Sequence, residues 1–149
     1  MTTKTETIQK SQSTKTTLSK LAWVSPLAML IAAVANLGLY AAAGSIFPEV
    51  TAWSGAGVGQ IVGANVVYLL MGAVLFALVV RFSSRPARHY LILATVGLLF
   101  SLALPISAGF GYGAPGASPA SVPTVVTLSL MHVVSYAISV PLFIRLALD

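Results

Sequence analysis

The sequence predicts an all-α integral membrane protein, a four-helix transmembrane bundle made of two hairpins with both termini on the cytoplasmic side. Three observations carry that expectation. Of 149 residues, 57% are hydrophobic and only 7% are charged, against about 25% charged in a soluble domain. The uncharged runs are long enough to cross a bilayer. All eight Lys and Arg residues fall on one side of the four spans so defined. So few charges cannot coat a water-soluble globule, which excludes a cytosolic enzyme and a wholly disordered chain. The net charge of +5 does not indicate a nucleic-acid partner, because the basic residues form no clustered face with interleaved aromatics. Cysteine is absent, which removes disulfides, thiol catalysis and thiolate metal sites.

Residues 1–20, rich in Thr, Ser, Lys and Gln, have almost nothing to bury and read as a disordered basic tail. The transmembrane domain is then 21–149. From Leu21 to Ala43 the chain is nearly all apolar, and at 1.5 Å per residue this stretch covers about 35 Å, more than a hydrocarbon core. A cleaved signal peptide is the competing reading, with Ala41-Ala42-Ala43 as its small-residue site. The apolar stretch is too long for a signal h-region. The second uncharged run opens with loop-like residues, so its helix is expected over about 58–80. The third, from Tyr90 to Ile144, is divided by GFGYGAPGASPASVP at 109–123, whose density of Gly and Pro ends a helix. Spans at about 90–108 and 124–144 result.

Orientation follows from the basic residues. Lys20, then Arg81, Arg85 and Arg88 in RFSSRPARH, then Arg145 flank the spans on one side, whereas the loops 44–57 and 109–123 hold no Lys or Arg. This places the chain as multi-pass in a membrane with both termini inside, its basic side against anionic head groups. Trp23, Phe82, Tyr90 and Phe143 are expected to form the inner aromatic belt, and Tyr40, Trp53, Phe110 and Tyr112 the outer one.

Polar groups in hydrocarbon are costly and usually face protein. Asn36, Asn65, Ser101 and His132 each lie seven or eight residues from the outer end of their spans, a common depth of roughly 10–12 Å. One polar side chain per helix at one level predicts a shared intramembrane layer. Span one carries an i+4 row of Ala28, Ala32, Asn36 and Tyr40. Span four carries Ser129, His132, Tyr136 and Ser139 on one face. Span two has a GxxxG at Gly59 and Gly63, a motif of close helix packing within the chain or between copies. On another face it has Asn65, Tyr68 and Gly72. Two such faces predict that span two is central.

No catalytic constellation is visible. Glu6, Glu49 and Asp149 lie outside the spans, so paired-carboxylate catalysis has no site. A Ser–His couple at His132 lacks an acidic partner and an oxyanion motif. His89 and His132 are too far apart in depth for a shared metal or haem, so neither a metal nor a cofactor is expected.

The region 21–149 resembles an uncharacterised family of small bacterial four-span membrane proteins, a domain of unknown function. The similarity lies in LAWVSPLAMLIAAVANLGLY, RFSSRPAR and LMHVVSYAISVPLFIRLA, most specifically in Met131-His132 and Val140-Pro141. The resemblance implies a bacterial plasma-membrane protein and supplies no activity. The expected function is that of a non-enzymatic accessory or envelope protein. The alternative is a small-solute or proton carrier using the Asn/Ser/His layer. The bilayer is the expected partner, with a homo-oligomer or a second membrane protein possible and nucleic acid excluded.

Overall fold

The computed structural model describes residues 2–112 and 115–148; side chains are described for residue 12 and from 14 onward. The described chain is helical apart from its turns and loops: α1 (Thr2–Ile46), α2 (Pro48–Ala52), α3 (Val58–Phe82), α4 (Pro86–Ser101), α5 (Ala103–Gly109) and α6 (Val122–Leu142), closing in a π-helical turn, Phe143–Ala147. Four stretches are long and apolar enough to cross a membrane: Thr14–Ile46, Val58–Phe82, Pro86–Gly109 and Val122–Ala147. We call these spans one to four.

Each helix boundary has a local cause. Ser121 caps α6, accepting the backbone N–H of Thr124, with Pro123 in the first turn where a missing N–H costs nothing. Pro48 and Pro86 open α2 and α4 in the same way. Span three, expected as one helix over 90–108, is broken at Leu102. Pro105 has no N–H for the carbonyl of Ser101, and its ring crowds that carbonyl. Pro141 similarly precedes the π-helical turn.

The polar leader, for which composition predicts disorder, is drawn into α1 from Thr2 onward. Extending a helix already nucleated by a span avoids the cost of the first turn. Thr16 and Ser25 hold this helix with hydroxyl bonds to carbonyls four residues back. Thr17 is buried.

The spans form an open ring. Span one packs along both span two and span four, while span three touches these two from the other side. Span one therefore holds the most extensive packing, and not span two, which the glycine pattern predicts as the central helix. Its i+4 row explains why: Ala28 and Ala32 are wholly buried, and small side chains let backbones approach where dispersion rather than hydrophobicity drives association. Spans two and four barely meet. Span three is the least held, with 11% of its core window buried against 28% for span two.

At the basic end, Leu21, Val24, Phe76, Tyr90, Phe143 and Ala147 form one cluster. Phe76 meets Tyr90 edge-on, with ring centroids 4.9 Å apart. Tyr90 and Phe143 are thus core residues and not members of a belt, whereas Trp23 and Phe82 are exposed as a belt requires. At the other end Phe110 and Tyr112 are exposed, but Tyr40 and Trp53 turn inward. The Tyr40 hydroxyl donates to the carbonyl of Ala56 and the Trp53 indole to that of Ser118 (2.7 Å), tying the two outer loops together.

Candidate functional site

Two of the four residues of the expected polar layer meet. Asn36 and Asn65 are 2% and 5% exposed, and the Asn36 amide donates to the side-chain oxygen of Asn65 (3.1 Å). The third member is Ser135. Its hydroxyl accepts from the Asn36 amide (2.9 Å) and donates to the same Asn65 oxygen (3.0 Å). Asn65 is oriented by its own helix, because its amide donates to the carbonyl of Ile61 (2.8 Å). That fixes its oxygen toward the other two residues, and it fixes Asn36 in turn. Both Asn36 N–H bonds are used, and its buried Oδ1 has no partner.

Ser101 and His132 lie outside this triad. The Ser101 hydroxyl returns to the carbonyl of Leu98 on its own helix, a common fate of serine in lipid-embedded helices. His132 stands about one turn before Ser135, toward the end away from the basic residues. It meets the ring of Tyr68 edge-on at 5.5 Å and makes no hydrogen bond within the described residues.

The triad forms the floor of a larger feature. Where spans two and four fail to meet, a cleft of about 730 Å³ opens, backed by Asn36 of span one and walled by spans two, three and four. Ser101, His132 and Ser135 all line it, as do Tyr68 and Tyr136, so the cleft gathers the residues that the layer was expected to join directly. His132, Tyr136 and Ser139 of the span-four stripe face this space, and Ser129 does not. The Tyr136 hydroxyl bridges the cleft to Thr95 of span three at 2.7 Å. Rim residues Tyr68, Met71, Leu93, Phe100 and Leu104 are exposed on the outside of spans two and three. The opening therefore faces sideways, where lipid chains would lie. At the basic end Tyr90 and Phe143 close it.

The expected packing glycines separate. A Cβ added at Gly59 or Gly63 would meet nothing within 4 Å, so the GxxxG makes no close contact in this chain. Gly72 lies against Tyr90 and Phe143, with a would-be Cβ 3.5 Å from the Tyr90 hydroxyl. Lys20, Arg81, Arg85, Arg88 and Arg145 flank the end of the bundle at which Tyr90 and Phe143 are buried. In the hairpin between spans two and three, the Ser83 hydroxyl accepts the N–H of Arg85 and lies 2.6 Å from His89 Nδ1. Among the described residues no three His, Asp or Glu side chains gather as a metal site would need.

Four apolar helices around a laterally open cleft define a small polytopic membrane protein. The chain belongs to the family of unknown function DUF6069, whose model matches residues 16–149. No curated protein and no solved structure matches it.

Proposed function

We propose that this is a non-enzymatic protein of the bacterial plasma membrane that holds a lipid-soluble small molecule in the cleft between spans two, three and four. The cleft itself is the observation that carries the reading. Its volume lies within the roughly 300–1,000 Å³ of small-molecule sites, and its mixture of apolar walls with a few polar groups is theirs too. Its rim faces the bilayer, so a ligand would enter from the membrane and not from water. One histidine and no carboxylate line it, which leaves acid–base catalysis without a second group. In this reading the protein is an accessory or envelope component that binds and presents its ligand. The basic end faces the cytoplasm, against anionic head groups.

A carrier is the second reading, favoured by the buried Asn36–Asn65–Ser135 triad. Against it, Phe76, Tyr90 and Phe143 pack together below the triad and close the basic end of the bundle. The chain has no cysteine, so single-cysteine reporters need no prior removal of native thiols. Native mass spectrometry of the purified protein tests the proposal. Wild type should retain a small-molecule adduct that Gly97→Trp loses while still folded. Gly97 lines the cleft with nothing within 4 Å of a would-be Cβ, so an indole there enters open space. Equal adducts in both proteins would remove the cleft as the binding site. Labelling of Ser135→Cys by an impermeant maleimide from both faces of the membrane would establish the carrier instead.

A further inference from the structure

We infer that the cleft takes a neutral amphiphile, a long-chain alcohol or a relative with a hydroxyl head, whose hydroxyl pairs with the imidazole of His132 while its chain lies along the apolar wall toward Tyr90. This rests on the cleft being a lipophile site and adds the chemistry of the occupant.

The first argument is charge. No Lys, Arg, Asp or Glu lines the cleft. A phosphate, carboxylate or ammonium drawn into it would be an unpaired ion in hydrocarbon, the most expensive polar group to bury. Anionic lipids find partners at Arg81, Arg85 and Arg88 outside the bundle. The occupant of the cleft is therefore uncharged.

The second argument is the state of the polar side chains. Tyr136 is bonded to Thr95, Ser101 to its own helix and Ser135 to both asparagines. His132 is different. It lines the cleft and both of its ring nitrogens lack a hydrogen-bond partner among the described residues. A neutral imidazole offers one N–H to donate and one nitrogen to accept, and a hydroxyl can pair with either of them, one at a time. An alkane would leave the imidazole unpartnered, and a ketone would satisfy only its donor. The third argument is shape. From Gln60 to Leu75 the cleft follows span two for about 22 Å at 1.5 Å per residue. Below the triad Leu69, Leu75, Leu93 and Val140 line it beside Tyr136 and Ser139, and it ends blind at Tyr90 and Phe143. That is room for a chain with its head near His132.

The test uses the full chain in phospholipid nanodiscs with three photoactivatable probes of one chain length: a hexadecanol, a hexadecanoic acid and a hexadecane, each carrying a diazirine at the same carbon. The alcohol should label peptides of spans two, three and four. Unlabelled hexadecanol should compete, and Gly97→Trp should abolish the labelling. The alcohol should exceed the alkane by roughly threefold to tenfold, the worth of one hydrogen bond. His132→Phe, which keeps the ring edge against Tyr68 but loses both nitrogens, should erase that advantage without changing alkane labelling. His132→Asn, which keeps a donor and an acceptor, should restore part of it.

Equal labelling by all three probes, a dominant acid, or an unchanged preference in His132→Phe would overturn the hydroxyl assignment while leaving the cleft as a lipophile site. Absence of saturable labelling by any probe would instead overturn the binding reading on which it rests.

Discussion

The unpartnered oxygen of Asn36 makes the two asparagines unequal, and leucine substitutions measure the difference. Asn65→Leu removes the oxygen that accepts from both Asn36 and Ser135. Ser135 can recover by turning its hydroxyl to the carbonyl four residues back, as Thr95, Thr127 and Ser129 do in this protein. Asn36 cannot recover, so one N–H and one oxygen are left unpaired between the helices. At about 0.6–2 kcal/mol for an interhelical hydrogen bond in lipid, with about 1–3 kcal/mol for the stranded donor added, the cost should be about 2–5 kcal/mol. Asn36→Leu deletes two bonds of similar size, but it also deletes the buried Oδ1, whose lack of a partner costs about 1–3 kcal/mol. Those effects offset each other. The Ser135–Asn65 bond survives, and the net change should lie within about 1 kcal/mol of zero.

Asn36→Leu is thus the milder substitution, despite the deeper burial of Asn36. Reversible unfolding of the full chain in bicelles, followed by steric trapping, reads the difference directly. An Asn36→Leu cost exceeding that of Asn65→Leu by more than about 1 kcal/mol would refute the reasoning, because Asn36 Oδ1 would then have to be satisfied.

Three other outcomes follow from the packing and the charges. Gly63→Ile should leave the thermal stability of the monomer unchanged, because its side chain enters open space, whereas Gly72→Ile should lose about 1–3 kcal/mol by overpacking against Tyr90 and Phe143. Equal effects on detergent thermal melts would contradict the assignment of the two faces. Trp53→Phe should cost about 1 kcal/mol through the lost bond to Ser118 and speed amide exchange across residues 115–121; unchanged exchange there would mean that the indole does not hold the loops together. Reporter fusions at residues 46, 85 and 116 and at the C-terminus should read out, in, out, in, and an outside signal at the C-terminus would overturn the orientation.

The number of spans was legible because it depends on composition alone: length, hydropathy and Gly/Pro breaks act locally, and the structure places four spans close to the expected bounds. The row Ala28, Ala32, Asn36 and Tyr40 was legible for a related reason. Small residues at i+4 spacing can serve only close approach, and all four are buried. What failed was the choice of face. Gly59 and Gly63 satisfy the same rule, yet they point away from the chain's own helices. A motif of close approach does not state which surface approaches. On span two the buried row is Ile61, Asn65, Leu69, Ala73 and Phe76, in which large apolar side chains carry the contact and Asn65 alone is polar.

The same limit explains why Ser135 was missed and His132 was favoured. Depth along a helix follows from residue counting, and it placed Asn36 and Asn65 opposite each other correctly. Rotation about the helix axis does not follow from counting when two polar rows run side by side. On span four one row holds Ser129, His132, Tyr136 and Ser139. The neighbouring row holds Met131 and Ser135, of which Met131 is buried. No signal in the sequence separates the two rows, since Val125 and Leu128 stand one turn before Ser129 and His132 just as Met131 stands one turn before Ser135. His132 and Tyr136 face the cleft that spans two, three and four enclose. Placing an imidazole there, without an internal partner, costs a packed bundle little stability and leaves a donor and an acceptor free. The triad that holds spans one, two and four together and the histidine that faces the cleft are therefore different devices on adjacent rows of one helix. Either can be changed without the other.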